Sequence, residues 1–360
     1  MNGPADMIRK EIARKKWVSF ARFMDLALYA PGTGYYEQPR SIGRSGDFFT
    51  SVSVGPLFGQ LLGSIFTRWI EAIIAAPAPC QVVEAGAHDG RLAFDLLTTF
   101  QERHPALFAR LNYWLIEPSP SRRTLQKSNL QPFLARVSWF DNWSSLPTQV
   151  NGAIFSNELL DAFPVHRFIR RDSGWMETGV IVDETGFAWS ERPADLATLP
   201  LPADLREALP VGFILEASPA AVAWWREAAR ALGHGVLAGF DYGYTLEELP
   251  GKSSGTLRAY SKHQLVSDLL QNPGGQDLTA HVDFSALQAA GEASDLQTLG
   301  LISQQRLLTR AVEGLLQYDP GFFSDSSRVR QFQTLTHPEH MGRAFRVLVQ
   351  SKGSLPFSLS

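Results

Sequence analysis

The stretch Gln81-Val82-Val83-Glu84-Ala85-Gly86-Ala87-His88-Asp89-Gly90-Arg91-Leu92-Ala93-Phe94-Asp95-Leu96-Leu97 constrains the fold more than any other. A short apolar run closes in an acid and a glycine. Apolar residues resume at Leu92, Phe94, Leu96 and Leu97 in a pattern suited to a helix start. Only small or polar residues stand between Gly86 and Gly90. The stretch predicts strand, tight glycine turn and helix. Glycine has no Cβ and tolerates positive φ, so a ligand can approach such a backbone closely. The new helix presents unsatisfied N–H groups at its first turn. A strand–turn–helix with no ligand has the same pattern, so the turn alone leaves both readings open.

Composition narrows the class. The 360 residues suffice for one large domain with insertions or for two domains. A content of 44% hydrophobic and 19% charged residues is ordinary for a globular enzyme. The net charge of -3 offers no basic field for nucleic acid. One cysteine, Cys80, excludes an intramolecular disulfide framework and a cysteine-based zinc site, and its place before the apolar run reads as inert core. No apolar run reaches the ~20 residues of a membrane span. The nearest, 65–78, is interrupted by Arg68 and Glu71. Arg9, Lys10, Arg14, Lys15 and Lys16 surround Glu11 and continue into Trp17 and Phe20, which favours a folded first helix over a transit peptide. The expected location is cytoplasmic, or the mitochondrial matrix in a eukaryotic cell.

In chain order, helices are predicted over 7–16 and, capped by Ser19, over 20–29, where Pro31-Gly32-Thr33-Gly34 ends the second. The loop 46–59 mixes small, hydroxyl and aromatic residues and enters a helix over 56–76. By composition, Thr50 and Ser51 there read as hydroxyls that satisfy backbone groups. Strands follow at 112–117, 137–140, 151–156, 235–243, 296–302 and 343–350. Helices are expected from Arg91 to Phe100, after Ser119, over 220–232 and over 303–317. Residues 166–193 alternate as an antiparallel meander, with 174–178 and 179–182 read as separate strands. The alternation of strands and helices predicts a doubly wound α/β sheet.

Open α/β sheets bind ligands beyond the carboxyl ends of their strands. Glu117 closes the second strand, where a carboxylate can accept from both hydroxyls of a ribose. Asp141 and Asn142, beside Trp143, suit an adenine edge and face, and a turn explains them equally well. Asn157, Glu158 and Asp161 follow the fourth strand. On a helical turn Glu158 and Asp161 share a face and can hold a cationic group; a solvated helix start is the alternative. His281 is a candidate acid/base group, set against a structural role.

Several segments together resemble one family, the MidA-type S-adenosylmethionine (SAM)-dependent methyltransferases, which include a mitochondrial complex I assembly factor acting on protein arginine. The glycine turn is similar to the Glu-x-Gly-x-Gly-x-Gly motif of SAM methyltransferases, with His88 at the middle glycine. The other matching pieces are 19–29 with Gly34-Tyr35-Tyr36; Gly46-Asp47-Phe48-Phe49-Thr50-Ser51; Asn157-Glu158 with Asp161-Ala162 and Pro164-Val165; Asp241-Tyr242-Gly243; 278–284; and 337–342. They span nearly the whole chain. The resemblance implies a class I α/β fold with a seven-stranded, mostly parallel Rossmann-like sheet, an N-terminal helical extension and an inserted lobe. It implies that Gly46, Asp47, Thr50 and Ser51 border the SAM pocket with Glu84, Gly86, Gly90 and Glu117, and it puts Asn157, Glu158 and Asp161 at the active site.

The expected division is an N-terminal helical extension and cofactor-covering loop at 1–76, a SAM-binding core at 77–168, an inserted meander and linker at 169–210, core again at 211–245, a substrate-side insertion at 246–295 and core completion at 296–360. The expected activity is methyl transfer from SAM to a protein arginine, with Glu158 and Asp161 gripping the guanidinium, His281 as proton acceptor and no metal. The family suggests a respiratory complex I subunit as partner. The rivals are a methyltransferase for a small molecule or another side chain, a nicotinamide dehydrogenase, disfavoured by the missing Gly-x-Gly-x-x-Gly, and a non-catalytic assembly protein on the same scaffold.

Overall fold

A computed structural model of the chain describes residues 3–38, 50–261, 264–317 and 319–353. Gly46 and Asp47 lie outside the described residues. The chain divides into two compact units. Met1–Phe48, Asp161–Val222 and Tyr244–Ser285 form the first; Phe49–Leu160, Ala223–Gly243 and Ala286–Ser360 form the second.

The second unit is built on β1 (Cys80–Ala85), β2 (Leu111–Ile116), β3 (Val137–Phe140), β4 (Val150–Asn157), β5 (Leu232–Tyr244), β6 (Gln297–Ser303) and β7 (Phe345–Lys352). They lie in the order β3-β2-β1-β4-β5-β7-β6. The first five are mutually parallel, and β7 runs antiparallel to both of its neighbours. The strand order reverses between β1 and β4, which puts Ala85 beside Ser156 at the switch point. β1 is buried at every position, as a parallel strand covered on both faces must be.

The helices that matter for the site are α1 (Leu57–Ile73), α2 (Arg91–Arg103), α3 (Pro120–Asn129), α4 (Pro219–Ala231), α5 (Gln304–Leu316) and α6 (Ser326–Thr336). α1 packs on α2 through Gly59 and Gly63. A Cβ at Gly59 would lie 2.5 Å from Cβ of Asp95, and one at Gly63 would lie 2.8 Å from Cγ2 of Thr99. Leu62, Phe66, Leu96, Phe100, Phe155 and Phe240 belong to the core formed with the sheet. Truncating one such phenylalanine to alanine costs about 3–5 kcal/mol.

The first unit holds helices Pro4–Lys15 and Phe20–Tyr29 and an antiparallel sheet of Val18–Ser19, Gly174–Asp183, His166–Arg171, Ile214–Ala217 and Gly186–Pro193. A second sheet joins Gln264–Val266, Arg258–Ser261 and Asp277–Thr279. Ser19 caps its helix by accepting from the Arg22 N–H at 3.2 Å. Ile8, Phe20, Phe23, Met24 and Leu278 share one core, and Phe168, Trp175, Phe213 and Leu215 another.

Four features differ from the sequence expectations. Residues 174–183 form one strand, not two, because Gly179 is where Val18–Ser19 pairs; a Cβ there would lie 2.3 Å from Trp17. α1 stops at Ile73, short of residue 76, ahead of Ala76-Pro77, since a residue preceding proline avoids helical ψ. The polar helix α6 was not expected; Asp325 caps it by accepting from the Ser327 N–H at 2.8 Å. Glu158 and Asp161 do not share a helical turn. Glu158 has φ of 50°, and only Leu160–Ala162 form a 3-10 turn.

Candidate active site at the strand tips

The glycine turn follows β1. Gly86 and Gly90 have φ of 76° and 84°, in the left-handed region that glycine occupies without cost. His88, at the position expected to be glycine, also has positive φ, 49°, a conformation histidine tolerates better than most side chains. The turn closes through Gly90 N–H donating to the Ala87 carbonyl at 2.7 Å. A Cβ at Gly86 would lie 2.8 Å from Cδ1 of Leu159, so the bare glycine lets the segment after β4 pack on the turn. Asp89 Oδ1 accepts from the Arg91 N–H at 3.0 Å, which satisfies one amide at the start of α2. Burial opposes the Asp89 charge, yet the neighbouring His88 imidazole and the hydrogen bond from the Arg91 amide outweigh it and hold the carboxyl below its ordinary value. Burial holds the His88 imidazole below its own range.

Glu84 is buried on β1. Its Oε2 accepts from the Tyr113 hydroxyl at 2.6 Å, and burial pushes its carboxyl up to about 8. Cys80, on the same strand, is buried, and burial raises its thiol to about 11, as suits an inert core residue.

Glu117 stands just beyond β2 and is buried. Oε1 accepts from the Ser119 N–H at 3.0 Å and Oε2 from Nε2 of Gln126 at 2.9 Å. Arg123 Nε donates to the Glu117 carbonyl at 2.6 Å, and its Nη2 pairs with Asp141, whose side chain is largely exposed beyond β3. Asn142 uses its side chain to cap Trp143–Ser145, accepting from the Ser145 N–H at 3.1 Å.

Beyond β4 the backbone turns sharply. Glu158 N–H donates to the Phe240 carbonyl at 2.9 Å, and Leu160 N–H to Oδ2 of the buried Asp241 at 2.9 Å. Oε1 of Glu158 accepts from the Ser51 N–H at 2.8 Å and from Nδ2 of Asn157 at 3.3 Å. The Ser51 hydroxyl donates to Oε1 of Gln304 at 3.3 Å. Thr50 pairs locally with Ser53 through both backbone and hydroxyl groups, as its composition suggested. The buried atoms Oδ1 of Asn157 and Oγ of Ser156 have no hydrogen-bond partner among the described residues.

The second unit thus brings together Thr50, Ser51, Glu84, Gly86, Gly90, Glu117, Asp141, Asn142, Asn157 and Glu158. Asp161 and His281 belong to the first unit. There the Asp161 carbonyl accepts from the Ala280 N–H at 2.9 Å, and His281 N–H donates to the Thr256 hydroxyl at 3.1 Å. Sequence reasoning missed Gln126, Gln304 and the structural part played by Asp241. Of these, only Asp241, in a strand-end Asp-Tyr-Gly, carried a visible signal.

These residues fit a sulfonium nucleoside. The turn with left-handed glycines leaves room against the backbone, the Glu117 carboxylate can take hydroxyl donors, and the orphaned Asn157 oxygen can take an ammonium donor. Among the described residues, no group of three His, Cys, Asp or Glu could hold a metal ion, and no helix is long and apolar enough to cross a membrane.

The strand order, the glycine turn after β1 and the acid after β2 define a class I SAM-dependent methyltransferase. Residues 61–302 match the family described as S-adenosyl-L-methionine-dependent methyltransferase, and the chain belongs to that family, of the MidA type. It is 28% identical to the protein arginine methyltransferase NDUFAF7 homolog, mitochondrial, of Drosophila melanogaster, over 98% of this chain and 85% of that protein. It is 28% identical to protein arginine methyltransferase NDUFAF7, mitochondrial, of Danio rerio, over 91% and 82%. A Burkholderia thailandensis protein whose crystal structure holds S-adenosyl-homocysteine superposes with a TM-score of 0.83 at 32% identity, covering 98% of this chain and 93% of that one. A native structure from the same organism gives a TM-score of 0.84 at 33% identity, covering 99% and 93%.

Proposed function

We propose that the chain transfers a methyl group from SAM to a guanidinium nitrogen of an arginine in a protein substrate. The relatives named as protein arginine methyltransferases support this acceptor. The observation that carries the reading is the Glu158 carboxylate, fixed beyond β4 by the Ser51 amide at 2.8 Å.

Arginine is a demanding acceptor, because its guanidinium stays protonated below about pH 12 and its nitrogens are poor nucleophiles. A carboxylate can grip the planar fork bidentately and concentrate electron density on the free nitrogen. Glu158 has this part, with Asn157 beside it. Bound SAM supplies an electrophilic methyl, whose sulfur leaves as a neutral thioether while the accepting nitrogen later gives up a proton. The rest of the task is alignment. Gly86 and Gly90 admit the methionine end, Glu117 holds the ribose, and Asp141 and Asn142 border the adenine. Glu84 stiffens the strand beneath the turn. Thr50 and Ser51 border the pocket as the family resemblance implies. For Asp161 as an active-site carboxylate and His281 as proton acceptor, the support is the sequence alone. A respiratory complex I subunit is the proposed target, and the bacterial cytoplasm or the mitochondrial matrix the proposed location.

Mass spectrometry of proteins from a deletion strain tests the acceptor. An arginine methylation lost on deletion is expected to return with the wild-type gene and not with Glu158→Gln. Full restoration by that variant removes Glu158 from the mechanism, and loss confined to other side chains changes the acceptor. Asp161→Asn and His281→Ala, scored the same way, test their roles one at a time.

A further inference from the structure

Gln126, fully buried on α3, uses every hydrogen-bonding group of its side chain at the strand tips. Oε1 accepts from the Trp139 indole N–H at 2.9 Å. An indole nitrogen can only donate, so this contact fixes which way the amide faces. Nε2 is then turned toward the His88 carbonyl at 3.0 Å and Oε2 of Glu117 at 2.9 Å, one for each of its hydrogens. The opposite Glu117 oxygen accepts from the Ser119 N–H at 3.0 Å. The carboxylate is therefore held at both oxygens by groups of this chain. One of those groups also grips the backbone of the glycine turn.

We propose that Gln126 is a positioning residue that makes Glu117 discriminate ribose from 2′-deoxyribose in the cofactor. The inference rests on the reading of Glu117 as the ribose acceptor. A carboxylate free to rotate about its last side-chain bond meets one hydroxyl as readily as two. One clamped at each oxygen presents its acceptor plane in a single orientation, which suits a vicinal pair of hydroxyls. Trp139 sets the orientation of the amide, the amide sets that of the carboxylate, and the His88 carbonyl ties both to the turn.

Calorimetry with S-adenosyl-homocysteine and its 2′-deoxyribose analogue tests this without a methyl acceptor. The wild type is expected to favour the ribose ligand by about tenfold or more, the usual worth of a hydrogen bond to a charged group. In Gln126→Leu the preference falls below about threefold, most of that factor being lost with the clamp. Trp139→Phe keeps the bulk and the fold but lets the amide turn over, so the preference falls partway; this variant carries the test if Gln126→Leu does not fold. Gln126→Glu places two carboxyls in contact, and its preference is lost at about pH 8 and recovers as pH falls and the new carboxyl takes a proton. A purely structural role weakens both ligands equally and leaves their ratio unchanged. An undiminished preference in the Leu and Phe variants overturns the proposal while sparing Glu117. A wild type that shows no preference overturns the ribose reading itself, and the inference with it.

Discussion

The main-chain N–H of Ser51 donates to Oε1 of Glu158 at 2.8 Å, across 107 residues of sequence. Ser51 is anchored in turn by its hydroxyl to Gln304, the first residue of α5, whose Nε2 donates to the Leu335 carbonyl at 3.1 Å. One carboxylate is thus set by three distant segments. Glu158→Gln keeps an oxygen for the Ser51 amide and removes only the charge. Methyl transfer is expected to fall by about 100-fold or more, the scale seen when a preorganised electrostatic group is lost. Affinity for S-adenosyl-homocysteine should change by less than about threefold, since the role proposed for this group is toward the acceptor. Rates and calorimetry on the same preparation check both, and a rate within threefold of wild type contradicts the role.

The backbone of Glu158 supplies an independent test. Its φ of 50° lies where a Cβ crowds the following carbonyl. Glu158→Gly and Glu158→Ala both lack the carboxylate and differ only in that Cβ. Urea unfolding is expected to find the glycine variant more stable by about 1 kcal/mol. In an ordinary helical or extended setting the order would reverse.

Glu84 predicts a pH dependence of stability. Burial is the main cause of its carboxyl rising from 4.5 to about 8; the Tyr113 hydroxyl pulls the other way and Asp89 adds to the rise. In the unfolded chain the carboxyl ionises above about 4.5, while the folded protein keeps the proton. Between these values the folded state binds more protons, so its stability falls as pH rises. The contribution is complete below the lower value and gone above the higher. Glu84→Gln retains an acceptor for Tyr113 and removes the slope. Relative to the variant, the wild type should lose up to about 1.4 kcal/mol per pH unit in that window. Parallel unfolding curves for the two proteins from pH 5 to 8 would show that Glu84 is ionised in the fold.

Gly59 tests the packing that carries the site. A Cβ there meets Cβ of Asp95 at 2.5 Å, close to the α2 backbone, where no flexible side-chain end can yield. Gly59→Ala is expected to destabilise by about 1–3 kcal/mol, as overpacked cores do. Thermal melts measure it, and an unchanged melting temperature means the two helices are free to separate.

Much of the sheet was legible in the sequence because its strands are short apolar runs closed by a glycine or an acid. The run 81–85, the acid Glu117 and the segment before Asn157 all stand at real strand ends. The Ser19 cap was legible from one hydroxyl before an apolar run. The left-handed turn at Glu158 was not, since nothing in composition marks a non-glycine residue for positive φ. Glu84 reads in sequence only as an acid near a strand end; the register alone puts Tyr113 on the neighbouring strand, diagonal to it and donating to its carboxyl. Gln126 lies in the polar run of α3 and looks solvated in sequence; only the approach of three strand tips buries it.

The most direct test is a calorimetric titration of S-adenosyl-homocysteine into the wild type and Glu117→Ala, with NAD as the control. One-to-one binding to the wild type is expected, weakened about tenfold or more in the variant, with no heat from NAD. Undiminished binding by Glu117→Ala, or binding of NAD in place of the nucleoside, would contradict the account.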